Sequence, residues 1–161
     1  MKSEVVYTFI DSQNLNLGVK ELGWNLDYKK FWVFLRDKFK VDKAFLFIGY
    51  IESNKNLYRE LTDFGYTLVF KPTVRDYRGK HKGNVDAELV LHSAKIEYYN
   101  YDKAILVSGD GDFKCLIDEL EKDEKFFKLI IPNKQKESSL LNNYGKYKIY
   151  AEKIRAKVER F

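Results

Sequence analysis

Residues 104–113 read Ala-Ile-Leu-Val-Ser-Gly-Asp-Gly-Asp-Phe. The apolar run at 104–107 is typical of a buried strand, and the glycines after it allow the backbone to turn sharply. Residues 5–14 repeat this arrangement, because Val-Val-Tyr-Thr-Phe-Ile is followed directly by Asp-Ser-Gln-Asn. Both stretches therefore predict a buried strand that runs into a loop carrying aspartate.

Strands and helices alternate along the rest of the chain. Further strands are predicted at 44–51, 67–70 and 127–131, and helices at 28–38 and at 53–64, with Gly65 as the end of the second. Two more helices are predicted from their apolar faces, the first formed by Leu89, His92, Ile96 and Tyr99 and the second by Phe113, Leu116, Ile117 and Leu120. Weaker patterns in the tail predict a short helix near Leu140, an edge strand at 147–150 and a last helix to Arg160. This alternation indicates βαβ units and predicts a single-domain three-layer α/β/α fold over residues 1–161, with a mostly parallel central sheet.

The composition limits the classes of protein that this chain can belong to. Its 161 residues suffice for one well-buried core, and 45% hydrophobic with 33% charged residues exclude a disordered chain. A single cysteine excludes a disulfide within the chain and a cysteine zinc site. The first apolar run is too short to be a signal or membrane segment, so we expect a cytoplasmic protein with no membrane partner. The net charge of +5 favours an anionic partner.

Aspartates follow the predicted strands at one edge of the sheet. Asp11 comes after the first strand, Asp110 and Asp112 come after the fourth, and Asp86 opens a helix that returns to the same edge. Two carboxylates about 5 Å apart repel by roughly 3 kcal/mol at an effective dielectric constant of ~20. Such a group is stable only if some carboxylates are protonated or a cation is bound, and hard oxygen ligands suit Mg²⁺ or Mn²⁺. We therefore predict a metal site formed by all four aspartates, which would activate water for phosphodiester hydrolysis.

Each of these residues also has a structural interpretation. Aspartate after a strand is often only a helix N-cap, and Asp112 before the Phe113 helix suits that role. Ser108 could orient a carboxylate or contact phosphate, or its hydroxyl could satisfy local backbone groups. Asn14 has the same two interpretations.

Three separated motifs resemble the NYN branch of the PIN-like nuclease superfamily, most closely its LabA-like group. They are FIDSQNLN at 9–16, KGNVDAELVLHSA at 82–94 and ILVSGDGDF at 105–113, and the resemblance covers nearly the whole chain. It implies a PIN-like fold, a metal-binding set of Asp11, Asp86, Asp110 and Asp112, and active-site positions for Asn14 and Ser108. It also implies that the substrate is single-stranded RNA.

Two positions depart from the family pattern. His92 stands where relatives often carry another aspartate, and Gly145-Lys146 stands where an aspartate commonly precedes the last small strand. Either difference could weaken metal binding. A single histidine at helical spacing among apolar residues is more often structural than a ligand, so His92 is not included in the predicted site.

The segment 71–86 is rich in basic residues and borders the predicted cleft. Cations that neutralise phosphates, together with an aromatic ring that stacks on a base, are typical of proteins that bind single-stranded nucleic acid. We predict substrate contacts for Arg78, Lys80 and Lys82, although a charged loop is often only solvated.

The leading hypothesis is a metal-dependent endoribonuclease acting on single-stranded RNA. One alternative is a non-catalytic RNA-binding or scaffolding module that keeps the acidic cleft. Another is a phosphatase or nucleotidase for small substrates, although Gln13 breaks the Asp-x-Asp pattern of one large phosphatase class. A homodimer is a further partner that the sequence leaves open.

Overall fold

The computed structural model describes residues 4–75, 77–79, 81–82 and 84–161, with the side chains at 81 and 82 outside that description. Its strands are β1 Val6–Asp11, β2 Lys43–Tyr50, β3 Thr67–Pro72, β4 Val74–Arg75, β5 His81–Lys82, β6 Lys103–Val107, β7 Phe126–Ile131 and β8 Lys148–Tyr150. Its α-helices are α1 Ser12–Glu21, α2 Tyr28–Phe39, α3 Lys55–Phe64, α4 Asp86–Leu91, α5 Lys114–Lys122 and α6 Arg155–Val158.

Six strands form one parallel sheet in the order β3-β2-β1-β6-β7-β8. The chain moves outward on one side from β1 to β3, then returns to the centre at β6 and moves outward on the other side. The strand order therefore reverses between β1 and β6, where Ile10 pairs with Val107. In open parallel sheets the crevice beyond the strand ends at such a point is the usual ligand site.

Apolar side chains cover both faces of this sheet, because successive residues of a strand point to opposite sides. Ile10 faces a core that includes Leu15 of α1 and Leu35 of α2. Phe9 faces a second core, in which its ring stacks on Phe45 with 5.4 Å between centroids. Helices α1, α2, α3 and α6 contribute to the first core, and α4 and α5 to the second. The predicted three-layer α/β/α fold is confirmed.

Several predicted elements are also confirmed in detail. Helix α3 ends at Gly65, which has a φ of +116° and would bring a Cβ atom to 2.8 Å from the Trp32 indole nitrogen. All four members of the predicted apolar face on α5 and the turn before it are buried: Phe113, Leu116, Ile117 and Leu120.

Helix α1 differs from the expectation of a loop at 12–14. Asp11 caps it, and Leu15 and Val19 are fully buried one helical turn apart. Packing of these two side chains against the sheet stabilises a helix in which Asn14, Asn16 and Gly18 have low helix propensity.

The apolar face predicted for the helix that contains Leu89, His92, Ile96 and Tyr99 is wrong beyond His92. Residues His92–Ile96 form a π-helical turn, which shifts the phase of the side chains. Ser93 is consequently fully buried, whereas Ile96 is 49% and Tyr99 91% exposed.

The tail largely matches the prediction. A 3₁₀ helix at Ser139–Tyr147 precedes the edge strand β8, and a 3₁₀ turn at Ala151–Ile154 leads into α6. Within the described ranges, the structure contains no helix with the length and apolarity needed to span a bilayer.

Candidate metal centre

Asp11 and Asp110 lie at the strand ends on either side of the reversal point. Asp11 is the last residue of β1 and is 6% exposed, and its carboxylate accepts a hydrogen bond from the Asn14 backbone N–H at 3.2 Å. Asp110 follows β6, and its carboxylate accepts from the Asp112 backbone N–H at 2.9 Å. Each aspartate therefore caps a helical turn and also faces the crevice between the strands.

Asp86 reaches the same place from the start of α4. Its backbone N–H donates to the side-chain oxygen of Asn84 at 2.7 Å, which fixes the first turn of the helix. The Lys71 ammonium donates to the Asn84 carbonyl at 2.5 Å and lies 3.9 Å from the Glu88 carboxylate. The end of β3 thus holds α4 in position through Lys71.

Asp11, Asp86 and Asp110 form one compact carboxylate group. One oxygen from each lies within 4.8 Å of the others. Burial, followed by the Asp110, Asp11 and Asp112 charges, raises the pKa of Asp86 to about 6. Burial, which outweighs the hydrogen bond from Asn14, and the Asp110 charge also raise the pKa of Asp11. The folded chain therefore resists ionisation of Asp11 and Asp86 unless positive charge is added.

A divalent cation fits this set of donors. All three are carboxylate oxygens on different elements, with no nitrogen or sulfur ligand in the group. Mg²⁺ and Mn²⁺ prefer such hard oxygen ligands and complete their coordination with water. Burial first, and the neighbouring carboxylate charges after it, raise the pKa values of Asp11 and Asp86, and a bound cation would offset both effects.

Ser108 and Asn14 both make protein contacts around these carboxylates. The Ser108 hydroxyl accepts from the Asp110 backbone N–H at 3.1 Å and lies 3.4 Å from an Asp11 carboxylate oxygen. The Asn14 side-chain oxygen accepts from the Gly109 backbone N–H at 2.9 Å. Ser108 is 1% exposed, whereas Asn14 also lines the cleft. The two residues join the loop after β6 to β1 and α1.

Asp112 lies outside the compact group. It is exposed and belongs to the 3₁₀ turn Gly111–Phe113, although its charge contributes to the raised pKa of Asp86. The alternative interpretation of Asp112, as the cap of the helix after it, does not hold: Asp110 caps the 3₁₀ turn, and no side chain caps α5 at Phe113.

Gly111 is required for close packing rather than for an unusual backbone angle. A Cβ atom at this position would lie 2.3 Å from the Ser138 hydroxyl and 2.8 Å from the Ser138 Cβ atom. The Ser138 backbone N–H also donates to the Gly109 carbonyl at 3.1 Å. The segment before the 3₁₀ helix at Ser139–Tyr147 therefore supports the loop that carries Asp110.

The carboxylates open into a cleft of about 540 Å³. Sequence reasoning did not assign several of its polar residues to the site: Gln13, Glu21, Asn84, Asn133 and Lys136. Gln13 and Asn84 lie within the aspartate motifs, whereas Asn133 and Lys136 lie far from them in the sequence. Lys136 is exposed and supplies a cation to this acidic cleft from the segment after β7. Only the strand order, which places β7 beside β6, brings it there.

The basic segment is described only in part. Lys80 lies outside the described residues, and so does the side chain of Lys82. Arg78 lies in an exposed turn, with its guanidinium 5.1 Å from the centre of the Tyr77 ring. The predicted substrate contacts of these three residues stay predictions.

His92 and Lys146, the two departures from the family pattern, contact different parts of the structure. His92 is half-buried, and its ring packs against the edge of Phe47 at 5.4 Å between centroids. The Lys146 ammonium lies 3.9 Å from the Glu121 carboxylate of α5 and 5.1 Å from the centre of the Tyr147 ring.

The parallel sheet order, with carboxylates where it reverses, defines the chain as an α/β protein with an acidic candidate ligand site. The NYN domain family model matches residues 5–151, so the chain belongs to the NYN family, within the PIN-like nuclease superfamily. Its LabA-like assignment stays a prediction.

Solved structures include a chain of the same fold. It is VPA0982 from Vibrio parahaemolyticus, described as a protein of unknown function, with 24% identity and a TM-score of 0.77 over 99% of this chain and 100% of that one. A weaker likeness is to T5 D15 protein co-crystallised with metal ions, with 12% identity and a TM-score of 0.46 over 78% of this chain and 54% of that one. No protein with a curated description matches the chain.

Proposed function

We propose that this protein is a metal-dependent endoribonuclease that hydrolyses phosphodiester bonds in single-stranded RNA. Asp11, Asp86 and Asp110 hold Mg²⁺ or Mn²⁺ at the reversal point of the sheet. The observation that carries the proposal is the approach of their three carboxylates to within 4.8 Å at the usual ligand site of such a fold. Membership of the NYN family supports the nuclease class.

The roles of the residues follow from their positions. When bound, a divalent cation lowers the pKa of water and stabilises negative charge on a phosphoryl group. Asp11 and Asp110 are oriented by backbone N–H donors before any ligand arrives, so little ordering is needed on binding. Lys136 contacts a non-bridging phosphate oxygen from the cleft wall.

Asp112 and the basic segment complete the proposal. Asp112 acts at the rim of the site, where its exposed carboxylate adds to the negative field that attracts cations. Arg78, Lys80 and Lys82 bind phosphates next to the scissile bond. These roles rest on the sequence motifs and on the charge of the side chains.

Cleavage of labelled single-stranded RNA tests the proposal. We expect the wild-type protein to cut in the presence of Mn²⁺ and to stop when EDTA is added. Asp110→Asn should lose at least about a hundredfold in rate, because one of three ligands is neutralised. Asp63→Asn removes the same charge at an exposed site on α3 and should cut like the wild type. Equal cleavage by Asp110→Asn and the wild type would contradict the proposal.

A non-catalytic RNA-binding module is the second candidate. It is favoured by the position of Asp112, since only three of the four predicted carboxylates meet at ligand distance in the described chain. Under this alternative the protein binds RNA in Mn²⁺ without cutting it, so the cleavage assay distinguishes the two functions.

A further inference from the structure

A second and larger groove adjoins the acidic cleft. It has a volume of about 710 Å³, and Gln13 and Val85 line both cavities. The groove runs over α1, the start of α2, the end of β2 and the first two turns of α3. Any polymer with its phosphodiester in the acidic cleft must leave that cleft over a neighbouring surface, and this groove is continuous with it.

The charges of the two cavities are opposite. The acidic cleft is lined by Asp11, Asp86, Asp110 and Glu21 beside Lys136. Among the described residues that line the groove there is no aspartate or glutamate, and its two charged side chains are Lys20 and Arg160. Both are exposed, and neither has an ion-pair partner in the described chain. The groove is therefore suited to bind a polyanion directly, whereas the acidic cleft accepts a polyanion only when a cation is bound there.

The groove also offers rings and amides beside its cations. Phe161 is 94% exposed and lines it, together with Tyr28, Asn16, Asn25 and Asn54. An exposed aromatic ring next to a cation is the combination that stacks an unpaired base and neutralises its phosphate. Amide side chains can bond to base edges and sugar hydroxyls.

The position of Arg160 and Phe161 is fixed by the segment before them. Val158 is fully buried in the core, and Glu159 forms an antiparallel bridge with Leu26. The Arg160 backbone N–H donates to the Asn25 carbonyl at 2.9 Å. This wall of the groove lies beyond the part of the chain that matches the family model, which ends at residue 151.

The basic surface continues past Phe161. The Lys30 ammonium lies 4.2 Å from the centre of the Phe161 ring and donates to the Glu159 carbonyl at 3.0 Å. Lys30 also lines a third cavity, of about 510 Å³, with Lys29, Lys38 and Lys157 around Phe34. Asp37 is the single acidic side chain among its lining residues.

We propose that this groove binds the part of a single-stranded polynucleotide that flanks the bond in the acidic cleft, with Lys20 and Arg160 on phosphates and Phe161 stacked on a base. The proposal rests on the proposed function, which places that bond among the carboxylates. RNA and DNA share this chemistry, and the experiment compares them.

Binding of fluorescent oligonucleotides tests the groove separately from catalysis. Anisotropy is measured with single-stranded RNA, single-stranded DNA and duplex RNA of one sequence, with Ca²⁺ in place of Mn²⁺. For the Lys20→Ala/Arg160→Ala variant we expect weaker binding of single strands, and a slope of log K against log salt that is shallower by about 1.4. Phe161→Ala should weaken single-strand binding roughly tenfold, because a stacking contact is lost.

The matched control removes the same charges elsewhere. Lys153→Ala/Arg59→Ala loses one lysine and one arginine that are exposed and line neither the cleft nor the groove. An equal loss of affinity in this control, or wild-type binding by the groove variants, overturns the proposal. Duplex RNA that binds as tightly as the single strand and is equally sensitive to Phe161→Ala also overturns it.

Cleavage assays keep the two proposals distinguishable. With RNA as the substrate, the groove variants should raise KM, whereas hydrolysis of bis(p-nitrophenyl) phosphate, which is too small to reach the groove, should be unchanged. If the wild type cuts neither substrate but the groove variants still bind RNA more weakly, the nuclease function fails and the groove stands. If the wild type cuts both and the variants bind and cut RNA normally, the groove fails alone.

Discussion

The side-chain oxygen of Asn14 accepts a hydrogen bond from the backbone N–H of Gly109 at 2.9 Å. This bond joins helix α1 to the loop after β6, and so joins the elements that carry Asp11 and Asp110. The Asn14 backbone N–H also donates to the Asp11 carboxylate at 3.2 Å. Asn14 thus orients the Asp11 carboxylate and also holds the loop that carries Asp110.

Replacement of Asn14 should therefore affect both stability and metal binding. Asn14→Ala leaves the Gly109 N–H without its partner, and we expect a loss of about 1 kcal/mol in the free energy of unfolding. Because the Asp110 loop loses its support, the affinity for Mn²⁺ should fall about tenfold. Urea denaturation and calorimetric titration measure the two effects. Asn142→Ala removes an amide at an exposed position away from the cleft and serves as the control; unchanged Mn²⁺ affinity in Asn14→Ala would show that the bond does not position the site.

Gly111 gives a steric test of the same loop. The Cβ atom of Gly111→Ala would overlap the Ser138 side chain, and we expect destabilisation of about 1–3 kcal/mol. Gly145→Ala is a matched control, because nothing lies within 4 Å of a Cβ atom placed there. Chemical denaturation of both variants is the measurement. Adding Ser138→Gly should recover much of the loss in Gly111→Ala, and no recovery in the double variant would contradict the proposed clash.

The stability of the metal-free protein should depend on pH through Asp86. Its pKa is raised from 3.8 to about 6 in the folded chain, so the folded state binds this proton more tightly than the unfolded state. The contribution is fully present below the unfolded pKa and is lost as the pH rises through about 6. Water screens the partly exposed carboxylate, so we expect an effect on the order of 1 kcal/mol.

Unfolding in EDTA at about pH 5 and about pH 8 measures this effect. The wild type should gain stability at the lower pH relative to Asp86→Asn, which cannot titrate at this position. Asp63→Asn, on the exposed face of α3, should keep the wild-type difference. Parallel pH profiles for the wild type and Asp86→Asn would contradict the raised pKa.

The main elements of the fold and part of the site were predictable from local patterns. Buried strands such as Val6–Asp11 and Lys103–Val107 have nearly continuous apolar sequences, and parallel pairing brings their carboxyl ends to one edge. Asp11 and Asp110 follow directly from that geometry. Asp86 opens a helix instead of following a strand, and it was placed with them because the crossover returns that helix to the same edge.

Other features depend on tertiary contacts that no local pattern records. Helix α1 contains Asn14, Asn16 and Gly18, which disfavour a helix, and burial of its apolar face decides the outcome. The π-helical turn His92–Ile96 changes which residues are buried. Lys136 and Arg160 reach their cavities only because distant segments are packed together.

Titration of the metal-free protein with Mn²⁺ tests the central claim most directly, namely that Asp11, Asp86 and Asp110 jointly hold a cation. Calorimetry should find a site in the wild type that weakens at least about tenfold in Asp11→Asn, Asp86→Asn and Asp110→Asn, and stays unchanged in Asp63→Asn. Mn²⁺ should raise the Tm of the wild type and of Asp63→Asn, and raise it less in the other three. Wild-type Mn²⁺ affinity in all three cleft variants would contradict the account.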